Sequence, residues 1–146
     1  MMMRSALAVL AGLAVITVAS FSIEAAADPL MMRMFPDSFP NKTALSHNTT
    51  VWLFTMAYTL VCVVAGGYVT ARFARRSPVR HAVILGLLQA ALMVPAMLSF
   101  PDPGPLWRWI VGMVLVILAA WCGGAIYAKK AVIYARTEEG VARAIA

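Results

Sequence analysis

Asp37 and Asp102 are the two acids whose settings match. Each follows a Phe-Pro step, in Phe35-Pro36-Asp37-Ser38-Phe39-Pro40 and in Phe100-Pro101-Asp102-Pro103-Gly104-Pro105. As a pair on one side of a membrane they would bind a cation or a basic partner. An aspartate after proline also stabilises its own turn through backbone hydrogen bonds, and that is the simpler role. Without a nearby histidine or a further acid, two carboxylates make a poor metal site. No metal and no cofactor are expected. Gln89 is the strongest polar residue well inside an apolar run, with Thr17, Ser20, Thr55 and Thr59 as minor ones. It suits a hydrogen bond between helices, and less readily a polar path. A charge in mid-membrane would mark function, and the apolar runs carry none.

Other reactive side chains are scattered. Cys62 and Cys122 read as free packing cysteines, since nothing brings their Cα atoms within the roughly 7 Å that a disulfide needs. His47 and His81 fall on opposite sides of the expected membrane and cannot share a metal. No Cys-x-x-Cys, P-loop or nucleophile-elbow motif occurs. Asn41-Lys42-Thr43 and Asn48-Thr49-Thr50 match glycosylation sequons, relevant only in a eukaryotic secretory pathway.

The small residues are more specific. Gly66-Gly67 followed by Ala71-Arg72 is echoed by Gly123-Gly124 followed by Ala128-Lys129. In lipid, helices associate where small residues four apart let backbones approach. Gly66 with Thr70, Gly67 with Ala71, and Gly124 with Ala128 have that spacing. The expectation is packing of the second span on the fourth, with a dimer contact or small-ligand site as the alternative.

These residues need membrane helices to position them. Of 146 residues, 62% are hydrophobic and 12% charged, where a soluble domain carries about a quarter charged. The mean hydropathy is +0.83. Residues 5–23, 43–71, 81–101 and 109–128 are free of charge, and each approaches or exceeds the roughly 20 residues that cross a bilayer. The polar start at 43–50 reads as loop. Helices are predicted at about 5–25, 51–75, 79–99 and 106–130. Asp28-Pro29 should interrupt the first, leaving 30–35 as a short interfacial segment. Pro95 should kink the third. The tail can continue as a helix up to Gly140.

Arg4-Ser5-Ala6 is echoed by Arg80-His81-Ala82, and the three echoes keep their order. They predict one hairpin used twice, with repeats at 4–76 and 80–130 and a tail at 131–146 in a single membrane domain. The fold class is all-α, a four-helix bundle. Of 12 basic residues, Arg4, Arg72, Arg75, Arg76, Arg80, Lys129, Lys130, Arg136 and Arg143 fall on one side, and Arg33, Lys42 and Arg108 on the other. Basic residues favour the cytoplasmic side, so both termini are expected there. This distribution suits topology and anionic lipid rather than nucleic acid. Trp52, Trp107 and Trp109 would mark the outer interface, Tyr68 and Tyr127 the inner. Arg4, the apolar run and Ala25-Ala26-Ala27 are also like a cleavable signal, but the run exceeds the usual 7–15 residue core of such signals and the first helix is expected to stay.

The segment Gly66-Gly67-Tyr68-Val69-Thr70-Ala71-Arg72, ending a span that follows a Phe-Pro turn, resembles a loose group of small bacterial four-helix membrane proteins. That resemblance covers nearly the whole chain. It implies a bacterial inner membrane location with the first helix retained, and no catalytic residues. The expected function is a non-enzymatic accessory or scaffolding subunit that packs against a larger membrane complex or itself. A small oligomeric transporter or channel is the alternative, and an enzyme acting on lipid is third.

Overall fold

The computed structural model describes residues 2–74, 77–99 and 104–145. It is all-helical: α1 (Met2–Met34), α2 (Lys42–His47), α3 (Thr49–Phe73), α4 (Pro78–Ser99) and α5 (Leu106–Ile145). Four of these are long and apolar enough to cross a membrane, over Ser5–Met34, Thr49–Phe73, Pro78–Ser99 and Leu106–Glu138. In each span the most apolar window is only 22–33% buried inside the bundle. The remaining apolar surface is what a bilayer would solvate.

Burial follows the helical repeat. Ala8, Gly12 and Ile16 face inward on α1, and Val63, Gly66, Gly67, Thr70 and Ala71 on α3. Ala82, Leu85, Gly86 and Ala90 do so on α4, and Val116, Ala119, Ala120, Gly123 and Gly124 on α5. Intervals of three and four keep such residues on one face. The core joins Val9, Ile16, Val63, Leu85, Ala90, Val116, Ala119 and Ala120. α1 packs on α3, α3 on α5 and α5 on α4, while α3 and α4 meet across the middle. Trp52 meets Trp107 near the starts of α3 and α5, and Tyr68 meets Tyr127 toward the far end of the bundle. These two helices therefore run parallel, with α1 and α4 antiparallel to them.

Three expected boundaries move. Asp28-Pro29 does not interrupt the first helix; α1 continues through Pro29 to Met34. A proline inside a helix removes one hydrogen bond and crowds the carbonyl four residues back, and α1 tolerates it here at Pro29. Asp28 is also held by Lys42 of α2, 3.3 Å away. The polar stretch at 43–50, read as loop, holds all but the first residue of the six-residue α2 and the first two residues of α3. The last helix does not stop at Lys130 or Gly140. At 40 residues α5 spans about 60 Å, roughly twice the thickness of a bilayer core.

The two asparagines of the sequons act as helix caps. Asn41 Oδ1 accepts from the Ala44 N–H at 2.8 Å. Asn48 Oδ1 accepts from Thr50 and Val51 at 2.9 and 3.2 Å. The Asn48 N–H meanwhile donates to the Leu45 carbonyl, so one residue closes α2 and opens α3. Asn48→Ala should cost about 1 kcal/mol, measured by SDS titration of the micelle-bound protein. An unchanged midpoint would show that the cap contributes nothing.

Candidate functional site

The small residues make the closest helix contacts. On α1 and α3, Gly12 lies against Thr70 and Gly66; a Cβ at Gly66 would stand 2.5 Å from Ile16 Cγ1 and 2.8 Å from the Gly12 carbonyl oxygen. On α3 and α5, a Cβ at Gly67 would stand 2.5 Å from the Ala120 carbonyl oxygen, and one at Gly123 would run into the Val64 carbonyl oxygen. On α4 and α5, a Cβ at Gly124 would stand 2.6 Å from Ala82 Cβ and 3.4 Å from Val79 Cα. Contacts this close admit no side chain, which is why glycine stands at each. Thr70 and Ala71 are fully buried, and Ala128 is half-buried.

The two glycine pairs are used differently. Gly66 and Gly123 occupy matching places in the echoed sequence, yet Gly66 faces α1 and Gly123 faces α3. Gly67 faces α5 and Gly124 faces α4. One glycine of each pair thus packs within its own hairpin and the other across, in opposite order.

Thr70 Oγ1 is buried, with no hydrogen-bond partner among the described residues. Replacing an unpaired buried hydroxyl with a methyl group is close to neutral or stabilising. Thr70→Val should therefore unfold at or above the wild-type midpoint in an SDS titration. A clear fall would show that the hydroxyl is bonded in the membrane.

A second cluster closes the opposite end of the bundle. Trp52 and Trp107 stack edge to face, 5.4 Å between ring centroids. The Arg108 guanidinium carbon lies 5.7 Å from the centroid of each ring. Its Nη1 and Nη2 donate to the His47 carbonyl at 3.3 and 3.2 Å, and Nη2 also donates to Thr49 Oγ1 at 2.7 Å. The arginine ties the start of α5 to the junction of α2 and α3. At the far end, Tyr68 and Tyr127 stack edge to face at 5.5 Å, with Lys130 Nζ 5.8 Å from the Tyr68 centroid.

The polar candidates do not converge. Asp37 is exposed in the turn after α1, where the Ser38 and Phe39 N–H groups donate to the Phe35 carbonyl. Asp102 lies outside the described residues. Gln89 is half-buried on α4, and no hydrogen bond to it is seen among the described residues. Cys62 is buried and Cys122 exposed, both as free thiols. His81 Nδ1 lies 3.1 Å from the Ser77 carbonyl oxygen. Among the described residues, no three His, Cys, Asp or Glu side chains are grouped to hold a metal.

In the sequence alone, Gly12 has no assigned role, Asn48 and Thr49 read only as a sequon, and Arg108 reads only as an outer basic residue. The caps were legible as asparagines before apolar runs. Gly12 follows Ala8 by four residues, the small-residue spacing that permits close approach, whereas no local pattern signals the distant partners of Arg108. Comparison with known protein families, curated proteins and solved structures finds no match.

Proposed function

We propose that this chain is a non-enzymatic multi-pass protein of a bacterial inner membrane, acting as an accessory or scaffolding subunit. It would pack against a larger membrane complex or against further copies of itself. In this reading two tandem hairpins form the bundle and both termini lie in the cytoplasm, as the basic residues at that end favour. The resemblance carried by residues 66–72 supports the bacterial location.

One observation carries the proposal. α5 outruns the bundle, and beyond Lys130 it presents Val132, Ile133 and Tyr134 at 54%, 62% and 71% exposure. Large apolar or aromatic side chains left exposed on a helix that runs past the bundle support a protein contact there. The glycine faces, by contrast, are occupied by contacts inside the chain, so they leave the outer surfaces and α5 for partners.

Gentle extraction from native membranes, with mass measurement of the intact particle, tests this reading. A defined larger assembly is expected, and Ile133→Glu with Tyr134→Glu should dissociate it while the bundle stays folded. A lone homo-oligomer that survives the double change would instead favour the small transporter, with liposome flux as its assay.

A further inference from the structure

A groove between α4 and α5 is not used by the packing of the bundle. It is an open surface groove of about 490 Å³ lined by Val79, Arg80, Val83, Ile84 and Trp121. It lies beside the contact of Gly124 with Val79 and Ala82, where the small residues draw the two helices together. Ile84 and Trp121 are 51% and 48% exposed, so the groove opens toward the surrounding lipid. Leu87 and Leu118, 53% and 52% exposed, continue the apolar track toward mid-membrane.

Trp121 is out of place for an interfacial anchor. It stands about 18 Å along α5 from Trp109, away from the Trp52–Trp107 cluster, in the half of the bundle nearer Tyr68 and Tyr127. Tryptophans on lipid-facing surfaces favour the headgroup level. Here the indole forms one wall of the groove instead.

Arg80 is the one charged residue of the lining, and it sits in the first turn of α4. It is exposed, and the ion pair seen among the described residues, Lys42–Asp28, belongs to the other end of the bundle. Arg72, Lys129 and Lys130 share its end. The nearest carboxylate along α5 with a described side chain, Glu138, is about 21 Å beyond Gly124. An arginine fork matches phosphate oxygens bidentately. Basic pockets between membrane helices take acidic headgroups.

We propose that this groove binds one anionic phospholipid, its phosphate on Arg80 and an acyl chain laid along Val83, Ile84 and Trp121. The apolar walls select an acyl chain, and the unopposed positive charge at one end selects the headgroup.

The test is quenching of Trp121 in the full chain, reconstituted in phosphatidylcholine vesicles. Brominated phosphatidylglycerol or brominated phosphatidylcholine is added at equal mole fraction. The Trp121 signal is the difference between wild type and Trp121→Phe. Brominated phosphatidylglycerol should occupy the site about fivefold more favourably than brominated phosphatidylcholine. Arg80→Gln should abolish the preference, while Arg136→Gln, a basic residue further along α5, should leave it. Equal quenching by the two lipids in wild type overturns the proposal. So does a preference that survives Arg80→Gln, or one lost equally in Arg136→Gln, which would reflect general surface potential. Shielding of Trp121 from both lipids would mean that a protein surface covers the groove, and would also overturn it.

Discussion

Gly123→Ala should destabilise the bundle by about 2 kcal/mol, while Gly112→Ala should leave it unchanged or slightly more stable. Both sites are helix interiors of α5, where alanine gains up to roughly 1 kcal/mol of helix propensity over glycine. The difference lies in what the new methyl meets. At Gly112 it meets the ends of flexible side chains, Met93 Cε at 3.0 Å and Met56 Cε at 3.4 Å. Methionine can yield at little cost. At Gly123 it meets the backbone of α3, at the Val64 carbonyl oxygen and the Tyr68 nitrogen. Helical backbone cannot yield locally, so α3 and α5 must separate. Separation would also strain the Tyr68–Tyr127 contact nearby. The midpoint of unfolding in an SDS titration reads both variants. Equal midpoints for Gly123→Ala and wild type would mean that the helices do not approach this closely in the membrane.

This pair of glycines also shows what was legible in the sequence. Membrane spans are read from composition, because a chain of this hydropathy has few other ways to satisfy its backbone. Four long helices follow directly, and small residues at intervals of four identify the faces that approach. Which helix each glycine faces is not encoded locally. Gly66 takes its partner from α1, where Gly12 is a single glycine in an alanine-rich run with no repeat to mark it. Helix ends were less legible. Pro29 reads as a stop, but α1 runs through it to Met34. α5 passes Lys130 and Gly140 because nothing from Lys129 to Ile145 contains a proline, and one glycine costs a helix only about 1 kcal/mol. α2 is too short for any periodic signal, and its asparagine caps also fit sequons. Of the polar candidates, Asp37 and Gln89 looked promising by type alone. Among the described residues, Arg108 is the most connected polar side chain, with partners 59 and 61 residues away.

Arg108→Ala should cost about 2 kcal/mol, and should loosen α2 more than any of the spans. An isolated helix of six residues is far below the length that sustains itself in water, so α2 depends on its tethers. Asn41 and Asn48 cap it, Lys42 pairs with Asp28, and the His47 carbonyl at its last turn accepts two bonds from Arg108. That carbonyl is one of the groups a helix end leaves unsatisfied, and a cation there is favoured by the helix dipole. A charged donor raises the value of each bond, while the stacking on Trp52 and Trp107 adds roughly 0.5–1 kcal/mol at an exposed site. Loss of about 2 kcal/mol corresponds to about a thirtyfold rise in local opening. Amide exchange in α2 should speed up by that factor, with little change in mid-span amides of α3 and α5. Arg108→Lys should recover only part of the effect, since one ammonium cannot reproduce the fork that spans His47 and Thr49. Tryptophan emission should shift in Arg108→Ala, where the Trp52–Trp107 pair loses its cation. Unaltered exchange in α2 after Arg108→Ala would show that the clamp does not hold that end of the bundle together.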